Sequence, residues 1–295
     1  MASDNYQFFQ QNGYLVLPGL FTEAEIARFS EVYEHDRQNF ARMWPKFGLH
    51  QTVNCDALLT SPDLDELIRH PKLLAVIEEL MGGPVCLGEI CSRHMAGYEG
   101  ELRRGWHRDK PHWKEHPLRM DYIQLMLYLS EVNEGTHCFS MSPEAADAPI
   151  LENEPQLERN GIVDFYGGTG TAVLFNVSCL HTATARQTES ERKSIQIYYG
   201  HRDRPYLSNC TVIDESWWRD YSNPEVRAFY NMLNRKTKRY LKAKSEGKLQ
   251  DLDSRLDWCL HYDKEVKRED NSARPEGDED DAPAAGGNEH GEMGE

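Results

Sequence analysis

Gly105-Trp106-His107-Arg108-Asp109 is the stretch on which the reading of this chain turns. It stands just past an apolar run that ends near Ala96, and on an extended segment residues i and i+2 point the same way. His107 and Asp109 therefore offer an imidazole nitrogen and a carboxylate oxygen to one ion. An H-x-D pair is common by chance, so its meaning rests on residues further along the chain. Thr171 to Leu180 is a second β-like run, and His181 stands at its end, 74 residues after His107. Arg192 opens the next run 11 residues later, with Ser194 two positions on. A turn of that length returns the chain antiparallel and sets Arg192 beside the strand that delivers His181. Two histidines and a carboxylate on one face of a metal leave three positions open, the arrangement of non-haem iron oxygenases. A planar guanidinium binds a carboxylate through two parallel bonds. It suits the far end of a keto-diacid whose other end chelates iron.

Around this stretch, Val85 to Met95, Asp121 to Val132, Thr171 to Leu180 and Lys193 to Gly200 are apolar runs rich in β-branched and aromatic residues. In the last of them aromatics fall on both parities, which predicts burial on both faces. Helical signals precede these runs. Thr22-Glu-Ala-Glu25 has capping-box spacing, Ser61-Pro62 starts a short helix, and Pro71 to Met81 ends at Gly82-Gly83. After the strands, Ser222-Asn223-Pro224-Glu225 begins a helix whose apolar face runs from Val226 to Leu241. The opposite face, Arg235 to Lys244, reads as a solvated basic stripe. Strands in the middle with helices on either side argue for a mainly β sandwich or barrel with helical packing outside. The division is one domain over residues 1–268, with a helical part at 20–83, a strand-rich core at 84–205 and a second helical part at 215–262.

The formal net charge of −16 is uneven. Ten acidic residues against one arginine fall in 269–295, a Gly/Pro/Ala-rich tail expected to be disordered. The body is only mildly acidic, which argues against nucleic-acid binding. Seven scattered cysteines without a C-x-x-C pair point to a reducing compartment rather than to disulfides or a zinc ribbon. With no leader-like N-terminus and no long apolar run, the chain reads as cytoplasmic, with no membrane partner.

From Phe9-x-x-x-Gly13-Tyr-Leu-Val through Trp106-His-Arg-Asp109 to His181 and Arg192-Lys-Ser194, the order and spacing of these motifs resemble the phytanoyl-CoA dioxygenase family of Fe(II)/2-oxoglutarate oxygenases. The resemblance spans residues 5–205 and implies a double-stranded β-helix, a cupin-like jelly roll, with flanking helices. It implies His107, Asp109 and His181 as ligands of Fe(II), Arg192 as the anchor of the 2-oxoglutarate carboxylate, and Ser194 as its helper. It runs the strand of Gln124, Met126 and Tyr128 along the pocket, with Gln124 a co-substrate contact. Dioxygen would be the second co-substrate and ascorbate a reductant; the products would be succinate, carbon dioxide and a hydroxylated small molecule. Asp109 disfavours halogenation, because related halogenases lack this carboxylate. Where relatives carry Asn-Gly and a Pro-Gly-Ser-His turn, this chain has Asn133-Glu-Gly135-Thr-His-Cys-Phe-Ser-Met-Ser-Pro143-Glu144, so the substrate does not carry over from relatives.

Arg103, Arg104, Arg108, Lys110 and Arg119 crowd the H-x-D region and would suit an anionic substrate. His112 and His116 read as solvated loop residues. The rival readings are a cupin-type metal enzyme that does not use 2-oxoglutarate and a non-catalytic binding scaffold. The protein is expected to act as a monomer or homodimer.

Overall fold

The computed structural model describes residues 3–48, 50–204 and 208–272, with side chains as far as residue 265. The chain begins with α1 (Asp4–Asn12), β1 (Tyr14–Val16) and α2 (Glu23–Asn39). Gly13 ends α1 at φ 75°, and a Cβ there would lie 2.7 Å from Cys179 Sγ, so both backbone angle and close approach require glycine. The capping box at Thr22 forms: its hydroxyl accepts from the Glu25 amide and the Glu25 carboxylate accepts from the Thr22 amide. Next come β2 (Lys46–Phe47), β3 (Gln51–Asn54), α3 (Ala57–Thr60), α4 (Asp65–Ile68) and α5 (Pro71–Met81). Gly82, at φ 68°, closes α5 as its sequence signal predicts.

The core strands are β4 (Val85–Met95), β5 (Arg103–Arg104), β6 (Tyr122–Tyr128), β7 (Cys138–Met141), β8 (Val163–Phe165), β9 (Ala172–Asn176), β10 (His181–Ala185) and β11 (Arg192–His201). Between β7 and β8 lies the helix α6 (Asn153–Asn160). All neighbours are antiparallel, in a seven-stranded sheet β1-β9-β6-β11-β4-β3-β2 and a four-stranded sheet β5-β10-β7-β8. This is a jelly roll. One face of the large sheet, with Ile123, Leu125, Ile195 and Ile197, packs on Leu73, Ile77 and Leu80 of α5 and other helical residues. The other face, with Met126, Tyr128, Phe175 and Tyr198, packs on Cys138, Phe139, Met141 and Phe165 of the small sheet. Burial on both faces explains why the strand runs carry apolar side chains on both parities.

Three elements differ from the sequence expectation. The small sheet is largely unannounced, because its strands are only two to five residues long and mix Ser, Thr and Arg with apolar residues. After the short helix α7 (Glu215–Trp218), the single helix expected from Ser222 breaks into α8 (Pro224–Tyr230) and α9 (Arg235–Ser245). Asn234 takes the N-cap of α9, accepting from the Thr237 amide while its Nδ2 donates to Ser208 O and Thr211 O. A satisfied asparagine cap thus overrides the periodicity. Finally, the stripe Arg235 to Lys244 is not uniformly solvated. Lys236 is fully buried, its Nζ 2.7 Å from Asp56 Oδ2 and 2.8 Å from Asp263 Oδ1. Burial works against the charged amine, but the two carboxylates outweigh it and keep the amine protonated. Helix α10 (Leu252–Ser272) supplies Asp263; the expected acidic tail lies, from residue 273 on, outside the described residues. No helix among the described residues is long and apolar enough to cross a membrane.

The Lys236–Asp56 pair ties α9 to the end of β3 at a point closed to water. Lys236→Ala leaves Asp56 buried without its counter-charge, which typically costs about 3–5 kcal/mol. Urea unfolding of the variant should show a loss of that size, and an unchanged midpoint would contradict it.

Candidate active site

His107 and His181 face each other across a reciprocal backbone pair, in which the amide of each donates to the carbonyl of the other at 3.0 Å. The Asp109 amide donates to Val177 O, also at 3.0 Å. This placement corrects the sequence reading of His181. The run Thr171 to Leu180 does not stay extended: β9 ends at Asn176, whose side-chain oxygen accepts from the Ser178 amide and starts a turn. His181 then opens β10 in the other sheet.

The rings are held in one orientation. His107 Nδ1 lies 2.7 Å from Gly105 O and His181 Nδ1 lies 2.9 Å from Cys179 O. A carbonyl only accepts, so each Nδ1 carries a proton and each Nε2 is turned toward Asp109, where it can hold either a proton or a cation. Those Nε2 atoms lie 3.4 and 3.6 Å from Asp109 Oδ1, and the three ligand atoms sit within 4.8 Å of one another. Ligands bound at about 2.1 Å subtend edges of about 3.0–3.4 Å, so the two edges to Asp109 fit a cation with a contraction of tenths of an ångström at most. Burial would raise the Asp109 pKa, yet the two imidazoles hold it well below the usual carboxylate range. Burial lowers the His107 pKa, and the hydrogen bond and charge of Asp109 more than reverse this. Tyr198 Oη donates to the other carboxylate oxygen, Oδ2, at 3.3 Å. The His107 side chain is 36% exposed against 6% for Asp109 and His181, so the site opens on the His107 side.

Arg108, between two of these residues, clamps the scaffold. It pairs with Glu144 and donates to Ser178 O at 2.8 Å and Leu151 O at 3.1 Å. The same Glu144 oxygen accepts from the Leu180 amide at 2.7 Å, which fixes the turn leading into His181. His112 is not solvated: its side chain is buried, with Nε2 3.6 Å from Glu144. His116 is also buried, with Nε2 on Met81 O.

Arg192, Ser194, Gln196 and Tyr198 alternate along the inner face of β11. Beside them stand Tyr128, Met126 and Gln124 of β6 and Arg93, Cys91 and Glu89 of β4. Arg192 therefore does not lie beside β10 as its spacing suggested: the 11-residue step crosses from the small sheet to the large one, and Arg192 faces the site across the jelly-roll interior. It is 1% exposed, and its Nε and Nη1 have no hydrogen-bond partner among the described residues; neither does Ser194 Oγ. Burial, then the charge of neighbouring Arg93, pulls the Arg192 pKa down, with Tyr128 opposing. Gln124 is in register with Tyr198 and donates to Gln196 Oε1 at 2.9 Å.

The basic residues expected to receive an anion are mostly engaged within the protein. Arg104 pairs with Asp164, Arg108 with Glu144 and Lys110 with Asp121, while Arg119 donates to Ala148 O at 2.6 Å. Arg93, which the sequence reading passed over, keeps a buried Nε without a hydrogen-bond partner among the described residues, while Nη1 lies 3.5 Å from Gln51 Oε1 and the guanidinium stands 4.8 Å over the Phe47 ring. Its signal was present: an arginine inside the strand-like run Val85 to Met95, which also carries Glu89, Ser92 and His94. His50 was also passed over. Both its ring nitrogens are buried and without a hydrogen-bond partner among the described residues, it packs on Tyr98 and His137, and burial, with help from His137 and Arg192, lowers its pKa to about 4.

Comparison with known proteins agrees with this fold. The profile of the phytanoyl-CoA dioxygenase (PhyH) family matches residues 9–194. Among curated proteins, L-proline trans-4-hydroxylase of Streptomyces griseoviridis is 23% identical, covering 64% of this chain and 82% of its own. Ectoine dioxygenase of Bordetella parapertussis is 22% identical, covering 68% of this chain and 75% of its own. Among solved structures, EctD from S. alaskensis with 2-oxoglutarate and 5-hydroxyectoine superposes with a TM-score of 0.57 at 19% identity, over 69% of this chain and 77% of that one. The epimerase SnoN from nogalamycin biosynthesis gives a TM-score of 0.56 at 17% identity, over 67% of this chain and 79% of that one. The family profile spans most of the chain, including the H-x-D pair, His181, Arg192 and Ser194, and the chain belongs to the phytanoyl-CoA dioxygenase family of Fe(II)/2-oxoglutarate-dependent oxygenases.

Proposed function

We propose that this protein hydroxylates an unactivated carbon of a small, carboxylate-bearing molecule, with Fe(II) on His107, Asp109 and His181 and 2-oxoglutarate anchored by Arg192 and Ser194. The observation that carries this reading is the Arg192 guanidinium, fully buried with two nitrogens unpaired. A buried charge without a counter-charge is strongly unfavourable. A carboxylate arriving from within the jelly roll resolves it with two parallel charge-assisted bonds, and Ser194 Oγ, two positions along the same face, adds a third donor.

Iron(II) with 2-oxoglutarate and dioxygen supplies the oxidising power, one oxygen atom entering succinate and the other the substrate. The protein's part is placement. The carbonyls of Gly105 and Cys179 hold both Nδ1 atoms, so both Nε2 atoms would be free to bind the ion, and Tyr198 donates to Asp109 Oδ2, leaving Oδ1 toward the histidines. Gln124, bonded to Gln196, would hold the pocket wall between Tyr198 and Arg192. A cupin-type enzyme without 2-oxoglutarate would leave Arg192 without an occupant. For the substrate, Arg93 supports an anionic group, because it alone among the inner-face residues of β4 offers an unpaired cationic donor.

His181→Ala should lose stoichiometric iron. Arg192→Ala should keep iron near wild type and raise KM for 2-oxoglutarate about 100-fold or more, given about 1.5–3 kcal/mol for each charge-assisted bond. Lysine at 192 should rescue only in part, since it lacks the fork. An unchanged KM would remove the co-substrate from Arg192. A succinate-release screen should favour carboxylates over their amides. Arg93→Ala should raise KM for the carboxylate substrate while leaving that for 2-oxoglutarate near wild type; equal turnover of acid and amide would sink the substrate assignment.

A further inference from the structure

Away from the His107–Asp109–His181 centre, Cys55, Glu89 and Cys210 converge from three separate stretches of chain. Their ligand atoms lie within 4.8 Å of one another, with Cys55 Sγ 4.0 Å from Glu89 Oε1. Bonds of about 2.3 Å to sulfur and 2.0–2.2 Å to oxygen in a tetrahedral site imply ligand separations of about 3.4–3.8 Å. The three atoms are therefore close to a coordination shell without rearrangement of the backbone.

The surroundings hold them there. Thr211 Oγ1 donates to Cys55 O at 2.8 Å and accepts from the Ile90 amide at 3.1 Å, so one hydroxyl joins the end of β3, the strand bearing Glu89 and the segment bearing Cys210. Lys236 donates to Cys210 O at 2.9 Å while paired with Asp56, the residue after Cys55. Asn234 fixes the carbonyls of Ser208 and Thr211 on either side of Cys210.

Glu89 is held only in part by this scaffold, with the Ser208 hydroxyl and the Cys55 thiol beside its carboxyl group. It is 1% exposed, and its Oε2 has no hydrogen-bond partner among the described residues. We propose that Cys55, Cys210 and Glu89 form a second cation site, for a thiophilic divalent ion of the zinc class, with a fourth position left open. Two thiolates suit such an ion and exclude magnesium or calcium. Without the ion all three groups keep their protons: burial pushes Glu89 well above the carboxylate range, contact with Cys55 and then burial raise the Cys210 thiol, and for Cys55 the bond with Cys210 pulls down but contact with Cys91 and burial outweigh it. Binding replaces three protons by one dication, and the remaining negative charge lies within the fields of Arg93 and Lys236. The ion would clip three elements together at the wall formed by Glu89 and Tyr198.

Cobalt(II) titration of the chelator-stripped, reduced full chain tests this, because a thiolate-to-cobalt charge-transfer band reads the cysteine site and is silent for two histidines and an aspartate. Wild type should take up two equivalents and show the band. His107→Ala should lose one equivalent and keep the band; Cys210→Ser should lose the band and keep the other equivalent; Cys91→Ser should keep both. In unsubstituted protein, zinc should protect Cys55 and Cys210 from alkylation, read by mass spectrometry, which needs no variant to fold. No thiolate band at saturating cobalt, or alkylation of both cysteines indifferent to zinc, overturns the proposal. So does the appearance of a Cys55–Cys91 disulfide, favoured by their 3.5 Å Sγ separation, in place of metal uptake. The proposed iron centre is tested separately by the His107 and His181 variants.

Discussion

The backbone pair between His107 and His181 is the constraint on which the site depends. Two amide–carbonyl bonds close a loop of chain more than seventy residues long and bring two imidazoles to a ring separation of 4.4 Å. Asp109 is placed in turn, being two residues from His107 with its amide fixed to Val177. Glu144 secures the same junction from behind, joining Arg108 to the Leu180 amide. The three residues proposed as iron ligands are thus held by main-chain bonds first, so their side chains would need little further ordering on binding an ion.

Electrostatics divide the molecule into cations that serve the fold and cations that are left for ligands. Arg104, Arg108, Lys110 and Lys236 each have a carboxylate partner, and the energy of those pairs is realised on folding. Arg192 and Arg93 stand on the inner face of the large sheet with nitrogens that nothing in the described protein satisfies. In the reading proposed above, such an arrangement would lower the stability of the free protein and raise its affinity for carboxylates, a common exchange at functional sites. Family membership and site geometry meet at this point: the residues that weaken the fold are the ones that the proposed chemistry requires.

Glu89 extends the same logic to the neighbouring wall. It is an acid buried on the inner face, in register with Tyr198, which itself holds Asp109. Sulfur atoms of Cys55 and Cys210, from two other stretches of chain, lie within 4.8 Å of its carboxylate, and the proposed second cation would satisfy all three groups at once.

The long elements are legible in the residues alone. The capping box at Thr22, the proline start and glycine end of α5, and the apolar runs of β4 and β11 are local signals, and local sterics and hydrogen bonding suffice to read them. The sequence also singles out His107, Asp109, His181, Arg192 and Ser194, because i, i+2 spacing and motif order survive without coordinates. Packing settles the matters that spacing cannot encode. Strands of two to five residues gain their identity only from the partners they pair with, so the small sheet, and His181 at the start of a strand within it, were not legible. Whether a cation is free depends on carboxylates far away in sequence: Lys236 looked solvated and is buried against Asp56, 180 residues distant, while Arg93 looked unremarkable and keeps a buried nitrogen without a partner. Periodicity reports which face of an element is apolar; only the packed fold determines which polar groups find partners there.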